Sequence, residues 1–270
     1  MGSVLVTGGT GHLGQSVVNL LVAAGGNEVR VLARSPGSHP GISWIKGDLA
    51  TGEGIAEAVA NAEAVVHAAT WSPAARRGYL VPADFVKTPP DVDLDGTRRL
   101  LAEADRAHVG HFLHVSIVGL PQVRLPYARV KLAAEKLVRA SHVPWSIVPA
   151  TGFHWLWHRM FTKQLRLPVW TLPSLLVQPV DSDDFAGYVV ECLTSGPGGD
   201  REDFAGPETL TLDELGRQFL SARADRRRLV RIPIPERLTQ AAGGLAASNA
   251  RRGTTTWSQW LRRQQGHQQL

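Results

Sequence analysis

The chain lacks several features that would have placed it in a specialised class. It has one cysteine, Cys192, in 270 residues, so no internal disulfide can form. A lone thiol fits a reducing compartment, and a cytoplasmic location is the expectation. No run of about 18 apolar residues occurs, so no spanning helix is expected. A strand-like run begins at residue 3, leaving no room for the charged and apolar regions of a secretory leader, and none is expected. No repeat of 20–50 residues appears, which argues against a solenoid or propeller. Acids are the scarcer charge: 24 Asp and Glu against 29 Lys and Arg leave a net charge of +5. The densest basic cluster, Arg223, Arg226, Arg227, Arg228 and Arg231, is interrupted by Asp225 and mixed with Leu229, Val230 and Ile232. It has no interleaved aromatics for stacking bases, and reads as a helix end running into a strand. Neither a nucleic-acid nor a membrane partner is expected.

What is present begins at residues 3–14, Ser-Val-Leu-Val-Thr-Gly-Gly-Thr-Gly-His-Leu-Gly. A short apolar run breaks into glycines at 8, 9, 11 and 14. An apolar-periodic segment follows through Leu13, Val17, Leu20 and Leu21. This is a strand, a tight turn and a helix. Gly8 lets the chain turn, Gly11 lets the backbone approach a pyrophosphate at the positive helix end, and Gly14 lets helix and strand pack closely. Nucleotide binding follows, with Thr7, Gly8, Thr10, Gly11, His12, Leu13 and Gly14 as the expected cofactor contacts.

The rest of the first half alternates. Strands are expected at 3–7, 28–33, 42–45, 63–67, 111–116 and 145–150, and helices at 12–24, 52–60, 93–107 and 127–140. Such alternation predicts an α/β fold, a doubly wound parallel sheet of Rossmann type. Residues 1–150 are the expected dinucleotide-binding domain. Residues 151–270 are the expected smaller, mostly helical substrate lobe, with Thr211 and Glu214 as a helix-starting capping box.

The second strand ends in Ala33-Arg34-Ser35, beside the adenosine ribose in such a fold. An acid there would suit NAD; Arg34 suits the extra phosphate of NADP, so NADP(H) is expected over NAD(H). Asp48 and Leu49 follow the third strand, where a carboxylate can accept from the adenine amino group or cap the next helix. Ala68, Ala69 and Thr70 follow the fourth strand and leave space for the cofactor. Pro149, Thr151 and Phe153, at the end of the sixth, lie along the same edge.

Tyr127 and Lys131 stand four apart on a helix, about one turn from each other. An ammonium beside a phenol lowers its pKa and makes it a usable proton donor or acceptor. Ser116 ends the strand just upstream. After the sixth strand come Phe153, Trp155 and Trp157 among further aromatics, read as an apolar pocket for a small-molecule substrate or as the core of the small lobe. His154 and His158 have metal-ligand spacing but no third ligand, so no metal is expected.

These pieces together resemble a short-chain dehydrogenase/reductase of the atypical, NmrA-like branch. The resemblance is carried by Thr7 to Gly14, Asp93-x-x-Gly96-Thr97, His114 to Gly119, Tyr127 to Glu135 and Pro179 to Ala186, with Arg252 to Trp257 also similar. It implies an NAD(P)-dependent oxidoreductase in which Tyr127 passes a proton, Lys131 holds the ribose hydroxyls and Ser116 steadies the substrate oxygen. Two positions depart from the family pattern. Ile117 takes the place aligned with the usual hydroxyl residue, and Asp93 stands on the substrate side where an asparagine often orders water. The reaction implied is NADPH-dependent reduction of a carbonyl or conjugated alkene in an apolar or aromatic molecule, or the reverse oxidation. The alternatives are a redox-silent NADP-binding regulator and a redox-neutral epimerase or lyase. Substrate identity and oligomeric state stay open.

Overall fold

The computed structural model describes residues 2–71, 87–233, 246–247 and 249–267. The first half runs β1 (Ser3–Thr7), α1 (His12–Ala24), β2 (Glu28–Ala33), β3 (Ile42–Lys46), α2 (Ile55–Val59), β4 (Ala64–His67), α3 (Thr97–Arg106), β5 (His111–Ile117), α4 (Pro126–Arg139) and β6 (Trp145–Ala150). A π-helical stretch, Asp91–Gly96, leads into α3. The second half supplies α5 (His154–Gln164), β7 (Val169–Pro173), β8 (Leu176–Val177), α6 (Ser182–Thr194), β9 (Gly199–Asp200), β10 (Phe204–Ala205), β11 (Leu210–Thr211), α7 (Leu212–Ala222), β12 (Arg228–Ile232), β13 (Arg251–Arg252) and α8 (Trp257–His267).

The main sheet has the order β13-β10-β6-β5-β4-β1-β2-β3, with β9 also beside β6, and its pairings are parallel. From β1 the chain winds outward through β2 to β3, then returns to β4 on the other side of β1. The carboxyl ends of β1 and β4 therefore flank the crevice where such sheets bind ligands.

Apolar residues on both faces of the strands explain the two helical layers. Val4, Val6, Val29 and Val31 pack against Leu13, Val17 and Leu21 of α1 and Phe185 and Val189 of α6. Leu5, Leu32, Val65 and Phe112 face the other way, onto α2, α3 and Val138 of α4. A third cluster of Trp157, Phe161, Trp170, Phe219, Trp257 and Leu261 forms the small lobe. Burying each such ring stabilises by about 1.5–3 kcal/mol.

Two small sheets, β7 with β12 and β8 with β11, complete that lobe. Residues beyond 150 also return to the main sheet as β9, β10 and β13. Asp184 on α6 accepts from the backbone N–H of Thr254 at 2.6 Å and of Thr255 at 2.7 Å, tying the tail motif to the family motif on α6.

Thr211 and Glu214 form the expected capping box. The helix expected at 52–60 shrinks to α2, because Gly52 (φ +90) and Gly54 (φ +72) adopt left-handed backbone that interrupts helical winding. In the Gly- and Pro-containing stretch after α6, Gly199 and Asp200 form β9.

Candidate active site

The glycine turn is built from close approaches. Gly8 has φ +76, and a Cβ there would lie 2.7 Å from the Ala69 nitrogen. A Cβ on Gly14 would lie 2.1 Å from the Gly8 carbonyl oxygen. The Gly11 N–H donates to that same oxygen at 2.9 Å, closing the turn. Gly11 is the N-cap of α1, no side chain caps this end, and its first turn carries no acid. The positive end of the helix and its leading N–H groups are thus available to an anion at the sheet crevice.

Arg34 follows β2 directly and is exposed. No carboxylate among the described residues pairs with its guanidinium. On the adenine side, Asp48 does not cap the next helix. The Asp48 carboxylate accepts from the Ala50 N–H at 2.9 Å and closes its own turn, while the N-cap of α2 is Gly54. Leu49 is buried in the core and its carbonyl accepts from Arg99. Leu13 is buried beneath the loop, whereas Thr10 and His12 are exposed. Ala68 and Ala69 are half-buried at the end of β4, against Gly8.

The other end of the crevice holds the proton-carrying groups. Lys131 on α4 donates from Nζ to the Thr70 hydroxyl and to Asp93 Oδ1. Thr70 in turn donates to Asp93 Oδ1 at 2.8 Å, and the Trp71 N–H to Oδ2 at 3.3 Å. The side chains of Lys131 and Asp93 are 11% and 4% exposed, so this is a buried ion pair with its oxygens satisfied. Asp93 arrives there on the π-helical stretch, whose Leu94 and Asp95 N–H groups both donate to the Pro90 carbonyl.

Beneath it, His67 links two elements. Thr97 Oγ1 donates to the Asp93 carbonyl at 2.6 Å, so it can only accept from His67 Nε2, 2.9 Å away. Nε2 therefore carries the proton, and Nδ1 accepts from the Thr7 hydroxyl at 2.6 Å. Burial favours this neutral imidazole, lowering its pKa to about 4. The hydroxyl of Thr7 is committed to His67 rather than directed at the cofactor.

Tyr127 sits half-buried in the first turn of α4, with Lys131 Nζ 5.5 Å from its ring centroid, as the four-residue spacing predicts. The expected lowering of the phenol pKa does not follow. Burial raises it above 10.0, Lys131 lowers it by less, and Asp93 raises it further.

Ser116 also departs from expectation. Its hydroxyl donates to the buried carboxylate of Glu135 rather than being directed at a substrate oxygen. Glu135 accepts from Arg139 at 3.0 Å, and Arg139 bonds onward to Asp200. Pro149 lies opposite Ser116 in the β5–β6 pair, and Thr151 is buried with its N–H bound to the Phe204 carbonyl.

The aromatic stretch divides. Trp155 stacks on His12 at 4.3 Å and 5°, at the start of α1, and Phe153 lies between Trp155 and Phe185. Trp157 is instead a core residue of the small lobe. His154 is 1% exposed, packed against Trp257 and Trp260, and burial takes its pKa down to about 4. Among the described residues no group of three potential ligands could hold a metal.

Sequence reasoning passed over His67 and gave Thr97 and Glu135 no role beyond their motifs. Glu135 had a signal, standing four residues after Lys131 on the stripe begun by Tyr127. His67 offered only a histidine at the end of an apolar strand, and its partners lie 60 and 30 residues away.

Residues 8–194 match the NAD(P)H-binding family. The 3-beta-hydroxysteroid dehydrogenase of Mycolicibacterium neoaurum is 32% identical over 119 residues, 43% of this chain and 32% of that protein. The chain thus spans about a third of that relative's length. The ceramide reductase of Caulobacter vibrioides is 28% identical over 254 residues, covering 89% of this chain and 77% of its own. Among solved structures, the UDP-glucose 4-epimerase of Thermotoga maritima with UDP-glucose superposes with a TM-score of 0.75 at 14% identity, over 98% of this chain and 99% of that one, a likeness of fold. No helix among the described residues is long and apolar enough to cross a membrane. With the glycine turn, the uncapped α1 and the Tyr127–Lys131 pair on one sheet edge, the chain belongs to the NAD(P)H-binding family, in the atypical, NmrA-like branch of the short-chain dehydrogenases/reductases.

Proposed function

We propose that the protein is an NADPH-dependent oxidoreductase that reduces a carbonyl or conjugated alkene of an apolar or aromatic small molecule. The observation that carries this is the position of Tyr127 and Lys131 beside the end of β4, next to the glycine turn. Bound NADPH supplies a hydride. Adding hydride to a carbonyl carbon leaves an alkoxide that needs a proton. The Tyr127 phenol, its pKa raised by burial, is protonated at neutral pH and serves as that donor. Arg34 is the group that would hold a 2′-phosphate, and the uncapped end of α1 would hold the pyrophosphate. The names of two relatives, a hydroxysteroid dehydrogenase and a ceramide reductase, agree with an apolar substrate. Trp155 and Phe153 offer it an apolar wall.

A second reading, a redox-silent NADP-binding regulator, rests on one observation. Lys131 is already paired with Asp93, and Ser116 with Glu135. One experiment separates the readings: an NADPH binding titration run beside a turnover screen against quinones and aromatic or polyketide-like carbonyls. NADPH consumption with product supports the oxidoreductase. Tight binding without turnover supports the regulator. Product without net NADPH consumption supports an epimerase or lyase.

A further inference from the structure

The small lobe carries apolar side chains exposed among arginines. In the parallel pair of β7 and β12, Arg228 lies opposite Val169, Val230 opposite Thr171 and Ile232 opposite Pro173. The alternate residues Trp170 and Leu172 are buried in the lobe core, which leaves Val169 and Thr171 on the outward face. Leu229 packs against that core from β12, with Val230 and Ile232 exposed. Leu167, Val169, Val230 and Ile232 are 52%, 44%, 37% and 46% exposed, large values for aliphatic side chains side by side.

The two segments that carry them hold almost one sign of charge, with Glu214 of α7 acting on Arg231 from outside them. Segments 163–177 and 223–233 hold seven cations and a single carboxylate, Asp225. That carboxylate is taken by Arg227, which also donates to the Leu165 and Leu167 carbonyls and so pins the turn before β7 onto the strand β12. Arg166, Arg226 and Arg228 are exposed and have no acidic partner among the described residues.

We infer that this face docks onto an anionic lipid bilayer, with the aliphatic side chains entering the interface and the arginines meeting the headgroups. A membrane was not expected because the sequence has no spanning run, but lying on a surface needs none. Complementary charge favours this occupant over the others. A second copy would set arginine against arginine, and a nucleic acid would find no aromatic ring among the exposed residues of the face. Each basic side chain near an anionic surface contributes about fivefold in partition.

The test is co-sedimentation of the full chain with phosphatidylcholine vesicles and with vesicles containing about one third phosphatidylserine, at low and high salt. Wild type is expected to bind the anionic vesicles at low salt at least tenfold more strongly than the neutral ones, and to be released by salt. R226E/R228E is expected to lose at least tenfold and V230S/I232S severalfold, with melting temperature and NADPH affinity unchanged. R166E, outside both strands, gives the same reading if the strand variants fold poorly. Equal binding to both vesicles, no binding to either, or binding that these variants leave intact would overturn the inference. So would tighter binding to duplex or single-stranded oligonucleotides, or a concentration-dependent dimer that V230S/I232S abolishes.

Discussion

The two ends of the crevice handle their polar groups in opposite ways. At the nucleotide end, the leading N–H groups of α1 have no side-chain cap, and Arg34 has no acidic partner among the described residues. At the chemical end the polar groups satisfy one another: Lys131 with Asp93 and Thr70, Ser116 with Glu135, His67 with Thr7 and Thr97. The contrast follows from burial. Exposed donors are hydrated and cost little while they await an anion, but a buried charge without a partner costs several kcal/mol. The nucleotide end is therefore built to receive charge, and the chemical end is balanced before any ligand arrives. The proposed cofactor binding rests on the first arrangement. Catalysis depends on whether the second can still move a proton.

The sharpest way to break this comparison is Tyr127→Phe. If the chemical end carries the reaction, kcat for carbonyl reduction should fall by about 10²–10⁴, with NADPH affinity nearly unchanged. Full turnover in steady-state assays would place the acid elsewhere. At the other end, Gly14→Ala puts a methyl within 2.1 Å of the Gly8 carbonyl oxygen, and backbone on both sides must shift. Such overpacking costs about 1–3 kcal/mol in stability. NADPH affinity, measured by calorimetry on the folded fraction, should drop by at least tenfold. Arg34→Ala should weaken NADPH binding by about 1.5–3 kcal/mol while barely changing NADH binding. Equal losses for the two cofactors would make Arg34 structural.

Asp93→Asn gives the smallest change in rate and sharpens the comparison most, although it leaves the Lys131 ammonium buried without its carboxylate and lowers stability by about 3–5 kcal/mol. Asp93 raises the Tyr127 pKa, and Lys131 lowers it. Removing the carboxylate leaves the ammonium unopposed, so the phenol's pKa falls. A reductase needs the protonated phenol, so its rate declines as pH rises through that pKa. The alkaline limb of the pH–rate profile should therefore move to lower pH in the variant. A limb that stays in place would mean that the charge balance at Asp93 does not govern the proton donor.

Much of the nucleotide half was legible because its determinants are local. The turn of Gly8, Gly11 and Gly14 needs residues without a Cβ within seven positions, and apolar alternation marked β1 and the helix behind it. The Tyr127–Lys131 pair was legible for the same reason, since four residues make one helical turn. Asp48 shows a limit of such reading, because a carboxylate after a strand can serve a ligand, its own turn or both, and only the fold shows its Oδ1 accepting the Ala50 N–H. Trp155 and Trp157 illustrate the same limit. Two positions apart on a helix, one meets His12 at the crevice and the other enters the lobe core.

By itself, then, the sequence determined the parallel sheet, the glycine turn and the helix that presents phenol and ammonium together. Each rests on spacing within one or two elements. Tertiary structure alone decided which polar groups pair at the chemical end. The partners Asp93–Lys131, Ser116–Glu135 and Thr7–His67 lie 38, 19 and 60 residues apart. They meet only when the sheet order brings β1, β4 and β5 side by side and α4 packs on β5. Burial then forces each polar group to find a partner, and the partner found sets whether it is free to act.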